Sequence, residues 1–236
     1  MTDIADTTTA TAKKELKLMK KGLFITFEGG EACGKTTQVK LLKEYISSLP
    51  NKDDFVFVRE PGGTPLAEEI RKLILDNNED SPLPMTELLL FCAARVEDVY
   101  KNIIPALNEG KIVIADRFYD STIAYQGSAR NIMPAEKILD LTKTIIGDLK
   151  PDLTFYLKLS PEEAFKRKSK MNEGLDRMEL EGLKFHKLVE KGYDYISSIE
   201  KERFFVVDAT KSIEEISSTI KNKFNELLQE NSICKE

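Results

Sequence analysis

Five short runs of apolar residues punctuate the chain, and each is closed by residues of a different kind. Leu23–Phe27 runs into Glu28-Gly29-Gly30, and Phe55–Val58 into Arg59-Glu60-Pro61-Gly62-Gly63. Ile112–Ala115 stops at Asp116-Arg117, Leu153–Leu159 at Ser160-Pro161, and Phe204–Val207 at Asp208. Runs this short, rich in β-branched and aromatic residues, suit strands buried on both faces. Between them apolar residues recur three and four apart, as in Leu66, Ile70, Leu73 and Ile74, the spacing of a helix with one buried stripe. Strands alternating with helices predict right-handed crossovers and a five-stranded parallel sheet flanked by helices, a three-layer α/β domain. In open parallel sheets ligands bind beyond the carboxyl ends of the strands. The closing residues should therefore meet in one cleft although they are far apart in sequence.

Residues 1–21 break the pattern. They are polar and Thr-rich, with Lys13, Lys14, Lys17, Lys20 and Lys21 near their end, and are expected to form a flexible tail. Residues 22–236 are read as a single domain, with no internal repeat or linker. Composition narrows the class further. Hydrophobic residues make up 41% and charged residues 32%, as in an ordinary globular protein. No apolar run is long enough to cross a bilayer, and the start lacks the apolar stretch of a secretory signal. A net charge of −5 argues against a nucleic-acid binder that works through a broad basic surface. Cys33, Cys92 and Cys234 are odd in number and widely spaced, and His186 is the sole histidine. Neither a disulfide framework nor a structural zinc site is expected, and a reducing, cytoplasmic compartment fits best.

The strongest chemical signal is Gly29-Gly30-Glu31-Ala32-Cys33-Gly34-Lys35-Thr36, a GxxxxGK[ST] loop after the first strand run and before a helical pattern. Its glycines let backbone N–H groups curl round phosphate oxygens, and the helix N-terminus adds a favourable field for anions. Lys35 is expected to reach the β- and γ-phosphates and the Thr36 hydroxyl to ligate Mg²⁺, with Thr37 beside it. Cys33 is read as a small filler, since such a loop works through its amides. Asp116, ending an apolar strand, supplies the second acidic half of such a site.

A phosphate-binding loop does not by itself separate GTPase, ATPase and kinase. Asn51-Lys52-Asp53-Asp54 matches the guanine-reading NKxD pattern but precedes the second strand run, and is read as a solvated turn. Arg59 and Arg117 follow strand runs and Arg95 lies on a helix, so three forked guanidinium groups could grip a second anion. This favours transfer to a phosphorylated acceptor. A switch that binds and slowly hydrolyses a triphosphate remains as the alternative.

At this point the sequence resembles a known family, the thymidylate (dTMP) kinases, from about Leu23 to the C-terminus. The resemblance rests on FEGGEACGKTT, REPGGTP, LLLFCAAR, DRFYDSTIAYQG, PDLTFYLKL and LDRME. It implies a P-loop nucleoside monophosphate kinase fold with a small LID segment at about 162–178. It also implies ATP as phosphoryl donor, Mg²⁺, dTMP as acceptor and, by family habit, a homodimer. Glu31 would face the sugar 3′-hydroxyl, and Phe91 would stack on thymine. Arg95, one helical turn later, would reach the base or its phosphate. Arg59 and Arg117 would hold that phosphate, and Asp116 would organise Mg²⁺ and the acceptor. Tyr125 would sit against C2′, while Thr122 and Gln126 would contact the base. Residues 203–209 and Thr210 would edge the adenine site.

Lys166 to Arg177, with five basic and two acidic residues, resembles the LID. Ala32 stands where eukaryotic relatives carry a catalytic arginine, so the resemblance looks to Arg167 and Arg177, with Lys170 behind them. Gly174 is a candidate hinge. Two departures stand out: Asn172 where some members have arginine, and Phe118 where tyrosine or histidine is frequent. A kinase for another deoxynucleoside monophosphate stays open as a rival.

Overall fold

The computed structural model describes residues 22–76, 81–169 and 176–231. The expected N-terminal tail, Lys170, Asn172, Gly174 and Cys234 lie outside the described residues. The strands are β1 (Phe24–Glu28), β2 (Phe55–Arg59), β3 (Ile112–Asp116), β4 (Leu153–Lys158) and β5 (Phe204–Asp208). Their boundaries fall within a residue of the apolar runs. All pair in parallel, in the order β2-β3-β1-β4-β5.

Continuous apolar runs are explained by two cores, one on each face of the sheet. Ile112 and Ile114 of β3 join a cluster with Phe27, Phe155, Leu42, Ile46, Ile220 and Phe224. Their neighbours Val113 and Ala115 point the other way, to Phe24, Val99, Ile103, Ile123, Ile138 and Ile196. The first core is closed by α1 (Lys35–Ser47) and α9 (Ile213–Glu230). The second is closed by α3 (Pro84–Asp98), a π-helical turn at Val99–Ile103 and α4 (Ile104–Asn108), together with α6 (Ala135–Ile146) and α8 (Leu183–Ile199). Between β3 and α6, the short α5 (Tyr119–Thr122) widens into a π-helical segment, Ile123–Ala129.

Helix starts follow local chemistry. In α2 (Pro65–Leu75) the Thr64 hydroxyl accepts from the Ala67 N–H, and Pro65 occupies a first-turn position that needs no donor. The same device, Ser160 before Pro161, opens α7 (Pro161–Lys168), and a capping box between Ser212 and Glu215 opens α9. The segment anticipated as a LID from about residue 162 thus begins inside a helix. Lys52–Asp54 forms an exposed 3₁₀ turn leading into β2, at the amino end of that strand and away from the carboxyl edge of the sheet. Strand register brings the chemistry together. Arg59 is level with Asp116, and Asp116 with Phe27 of β1, so the segments after β1, β2 and β3 emerge side by side.

Candidate active site

The carboxyl edge of the sheet opens into a cleft of about 970 Å³. Its first wall is the loop after β1. Gly29 has φ +146°, and a Cβ there would stand 2.6 Å from the Leu157 carbonyl oxygen. Gly34, at φ +95°, turns the chain into α1. Lys35 is buried, and its Nζ donates to the carbonyl oxygens of Gly29 and Gly30, both at 2.9 Å. The ammonium is thereby held at the mouth of the loop. Thr36 and Thr37, in the first turn of α1, line the cleft with Glu31, Ala32, Cys33 and Gly34.

Arg117 is the most heavily oriented group in the cleft. It follows β3 with φ +72°, a left-handed conformation uncommon for a residue with a Cβ. One terminal nitrogen donates to Gly29 O, Ser121 Oγ and Tyr193 Oη, each at 3.2 Å. The other donates to Glu31 Oε1 at 2.7 Å and Tyr125 Oη at 3.4 Å, and the guanidinium lies over the Tyr125 ring. Tyr125 Oη donates in turn to Glu31 Oε1 at 2.5 Å. Burial would raise the Glu31 carboxyl, but Arg117 and Lys35 together with that hydroxyl outweigh it and bring its pKa to about 2. Glu31 is therefore a fixed anion.

Beneath this layer sits Glu28, which the motif reading missed. It accepts from the Phe118 N–H at 2.7 Å, Ser121 Oγ at 2.7 Å and Tyr193 Oη at 3.0 Å. Burial, reinforced by Asp120, lifts its pKa to about 7. Phe118, the departure from tyrosine or histidine, is fully buried edge-on to Phe24 and carries the Arg95 guanidinium over its ring. Apolar packing replaces the polar contact.

The far wall comes from α3 and the π-helical segment. Phe91 and Arg95 share one face of α3, and both line the cleft. Arg95 is buried, with Nε donating to Glu60 Oε2 at 2.8 Å and one terminal nitrogen to Thr122 Oγ1 at 2.9 Å. Its other terminal nitrogen, buried, has no hydrogen-bond partner. Burial pushes the Glu60 carboxyl up to about 7, although Arg95 opposes the shift. Thr122, Tyr125 and Gln126 complete this wall. Gln126 Nε2 donates to the buried Glu87 at 2.7 Å, an acid without a local motif to mark it.

The basic residues divide. Arg59 lines the cleft but is half exposed, donating to both oxygens of Glu68 at 3.0 and 3.1 Å. Arg71, unforeseen, lines the same wall and donates to Pro61 O at 2.9 Å. Arg167 reaches the glycine loop, donating to Ala32 O at 3.3 Å and Ala209 O at 2.6 Å. Arg177 is not brought to the loop. Its guanidinium donates to Glu87 Oε2 at 2.5 Å and Ile74 O at 2.9 Å, because a buried carboxylate draws the nearest cation. Lys168, also missed, lines the cleft 3.3 Å from Glu179 Oε1. Of residues 203–210, Arg203 is buried against Asp120 and Thr154 before β5 and Ala209 O accepts from Arg167, while the next residues, Lys211, Ser212 and Ile213, line the cleft.

For a divalent cation, the described residues contain no group of three or more His, Cys, Asp or Glu able to hold it alone. Thr36 and Asp116 line one cleft and offer a hydroxyl and a carboxylate. Two hard oxygen donors fit Mg²⁺, which would draw its remaining ligands from phosphate oxygens and water. No helix among the described residues is long and apolar enough to cross a membrane.

Known proteins resemble most of the chain. The family model described as thymidylate kinase matches residues 27–220. The thymidylate kinase of Symbiobacterium thermophilum is 43% identical over 208 residues, covering 87% of this chain and 94% of its own. That of Prochlorococcus marinus is 46% identical over 206 residues, with 85% and 94% covered. The crystal structure of thymidylate kinase from Ehrlichia chaffeensis superposes with a TM-score of 0.70 at 34% identity, over 86% of this chain and 98% of that one. The sheet order, the glycine loop and these likenesses agree, and the chain belongs to the thymidylate kinase family.

Proposed function

We propose that this protein catalyses ATP + dTMP ⇌ ADP + dTDP by direct in-line transfer of the γ-phosphoryl group. One observation carries the reading. A single cleft joins a glycine cradle with Lys35, the oriented Arg117 guanidinium beside that cradle, and a wall that carries Arg95 and the Phe91 ring. A donor and an acceptor nucleotide can therefore meet phosphate to phosphate.

The amides of residues 29–37 and Lys35 hold the donor phosphates. Arg117 takes the acceptor phosphate, and Arg59 joins it by exchanging Glu68, a half-exposed pair that costs little to break. Phe91 stacks on the base, Arg95, Thr122 and Gln126 contact its edge, Tyr125 sits against C2′, and ionised Glu31 accepts from the 3′-hydroxyl. Arg167 is the basic side chain beside the loop that spreads charge over the transferred group, whereas Arg177 serves the base end through Glu87. Mg²⁺ held through Thr36 and Asp116 would neutralise charge on the donor phosphates. The acceptor phosphate is already ionised near pH 7, so catalysis rests on positioning and electrostatics rather than on a strong general base.

We also read the protein as a cytoplasmic homodimer. Leu66 and Leu73 on α2, and Met85 and Leu89 on α3, are large apolar side chains left exposed at helical spacing, the pattern of a surface covered by a second copy.

An ADP-release assay with dTMP, dUMP, dCMP, dAMP and dGMP, plus a control without acceptor, tests the reaction. Release should be fastest with dTMP and near background without acceptor. Faster release with another monophosphate would identify the rival kinase. Equal release without acceptor would identify a switch-type hydrolase.

A further inference from the structure

Glu87 does more than hold Arg177. Its carboxylate lies at the start of α3 with a side chain only 1% exposed, and accepts from three side chains. Arg177 donates at 2.5 Å, Gln126 Nε2 at 2.7 Å, and Arg130 at 3.4 Å through two nitrogens. Two guanidinium groups and one amide NH₂ all point donors at it, so here the carboxyl oxygens act as acceptors. An amide has one donating and one accepting end. Reversing Gln126 would set its oxygen 2.7 Å from a carboxylate oxygen, so the amide is locked with its NH₂ on Glu87.

We infer that Glu87 is a positioning residue that sets the hydrogen-bonding polarity of the base pocket and thereby selects thymine over cytosine. With its nitrogen engaged, Gln126 offers the cleft an acceptor, Oε1. Arg95 lines the same wall, and its buried terminal nitrogen without a partner keeps a donor in reserve. Thymine presents the complement, an N3–H donor next to the O4 acceptor. Cytosine presents an N3 acceptor next to an N4 amino donor, and is mismatched at both positions. Uracil shares the thymine pattern, so this device does not distinguish those two. The inference rests on the reading of the cleft as a dTMP site and adds what dictates the sense of its polar edge.

The test is Glu87→Gln, a substitution of nearly equal volume that adds a donor. Gln126 can then turn over, accepting from residue 87 and presenting its NH₂ to the base. The ratio of kcat/KM for dTMP over dCMP should fall by at least about fivefold, one good paired base contact being worth about 1–3 kcal/mol. The change should appear in the KM of the monophosphate and not in that of ATP. The dTMP over dUMP ratio should hold. In a Gln126→Ala background, Glu87→Gln should leave the dTMP over dCMP ratio where Gln126→Ala alone puts it. The inference is overturned by an unchanged dTMP over dCMP ratio, a parallel fall for dUMP, or a full effect without Gln126.

Should the variant not fold, ¹⁵N-labelled protein of unaltered sequence decides. The Gln126 side-chain NH₂ should be protected from exchange with or without dTMP, and protection that appears only on adding dTMP overturns the assignment. Failure of the kinase reading would look different, as no turnover of dTMP by the unaltered protein.

Discussion

Tyr125 shows how much one side chain can hold. Its hydroxyl fixes Glu31, its ring backs Arg117, and its own pKa is raised by burial ahead of the opposing influence of Arg117. It therefore stays a neutral donor. Tyr125→Phe keeps the ring and removes the hydrogen bond to Glu31 and the longer one from Arg117, a bond to a charged group being worth about 1.5–3 kcal/mol. The KM for dTMP should rise by at least about tenfold with the KM for ATP unchanged, as steady-state kinetics would read directly. Phe91→Ala should act on the same substrate by a different route. Base–aromatic stacking is worth about 1–3 kcal/mol, so dTMP binding should weaken roughly 5- to 150-fold while ATP binding holds. Equal losses for both nucleotides would refute the stacking role.

Two contacts between elements control how the walls of the cleft stand. Gly192 of α8 lies so close to the π-helical segment that a Cβ would meet Ala124 Cα at 2.6 Å and Ser128 Oγ at 2.7 Å. Gly192→Ala forces the two apart at a cost of about 1–3 kcal/mol, and should lower Tm by roughly 3–10 °C in a thermal melt. The second contact is Asp98, at the end of α3. It accepts from Asn102 Nδ2 at 2.6 Å, and its Oδ1 is where a Cβ on Gly63 would fall. Its other oxygen is buried without a partner. Burial, only partly offset by Asn102, lifts its pKa to about 6 from 3.8. Between those values the folded protein holds the proton more tightly than the unfolded chain. Stability from this group is therefore full below about pH 4 and falls as pH rises to about 7. Asp98→Asn cannot ionise. Over pH 4–7 the unaltered protein should lose about 2 kcal/mol of unfolding free energy relative to the variant, as urea titrations at several pH values would show. Parallel curves would remove Asp98 from the account.

At the scale of the molecule, a chain of net charge −5 gathers its cations where two anionic nucleotides would sit. The exposed leucines of α2 and α3, Leu66, Leu73 and Leu89, lie outside that cleft lining. Light scattering should find a dimer of twice 26.8 kDa, and Leu73→Glu with Leu89→Glu should return a monomer. A monomer before substitution would remove the dimer reading.

Local pattern alone determined the strands, their ends, the glycine loop and the convergence of Lys35, Arg59, Asp116 and Arg117, because side-chain alternation, φ freedom and strand direction are properties of neighbouring residues. Only the tertiary structure decided that Arg177 belongs to Glu87 rather than to the loop, that Arg59 rests on Glu68, and that Glu28, Glu60 and Glu87 stand behind the visible motifs. A buried acid has no sequence signature of its own. Its partners are chosen by which cations and amides packing brings within about 3 Å, and those lie tens of residues away along the chain.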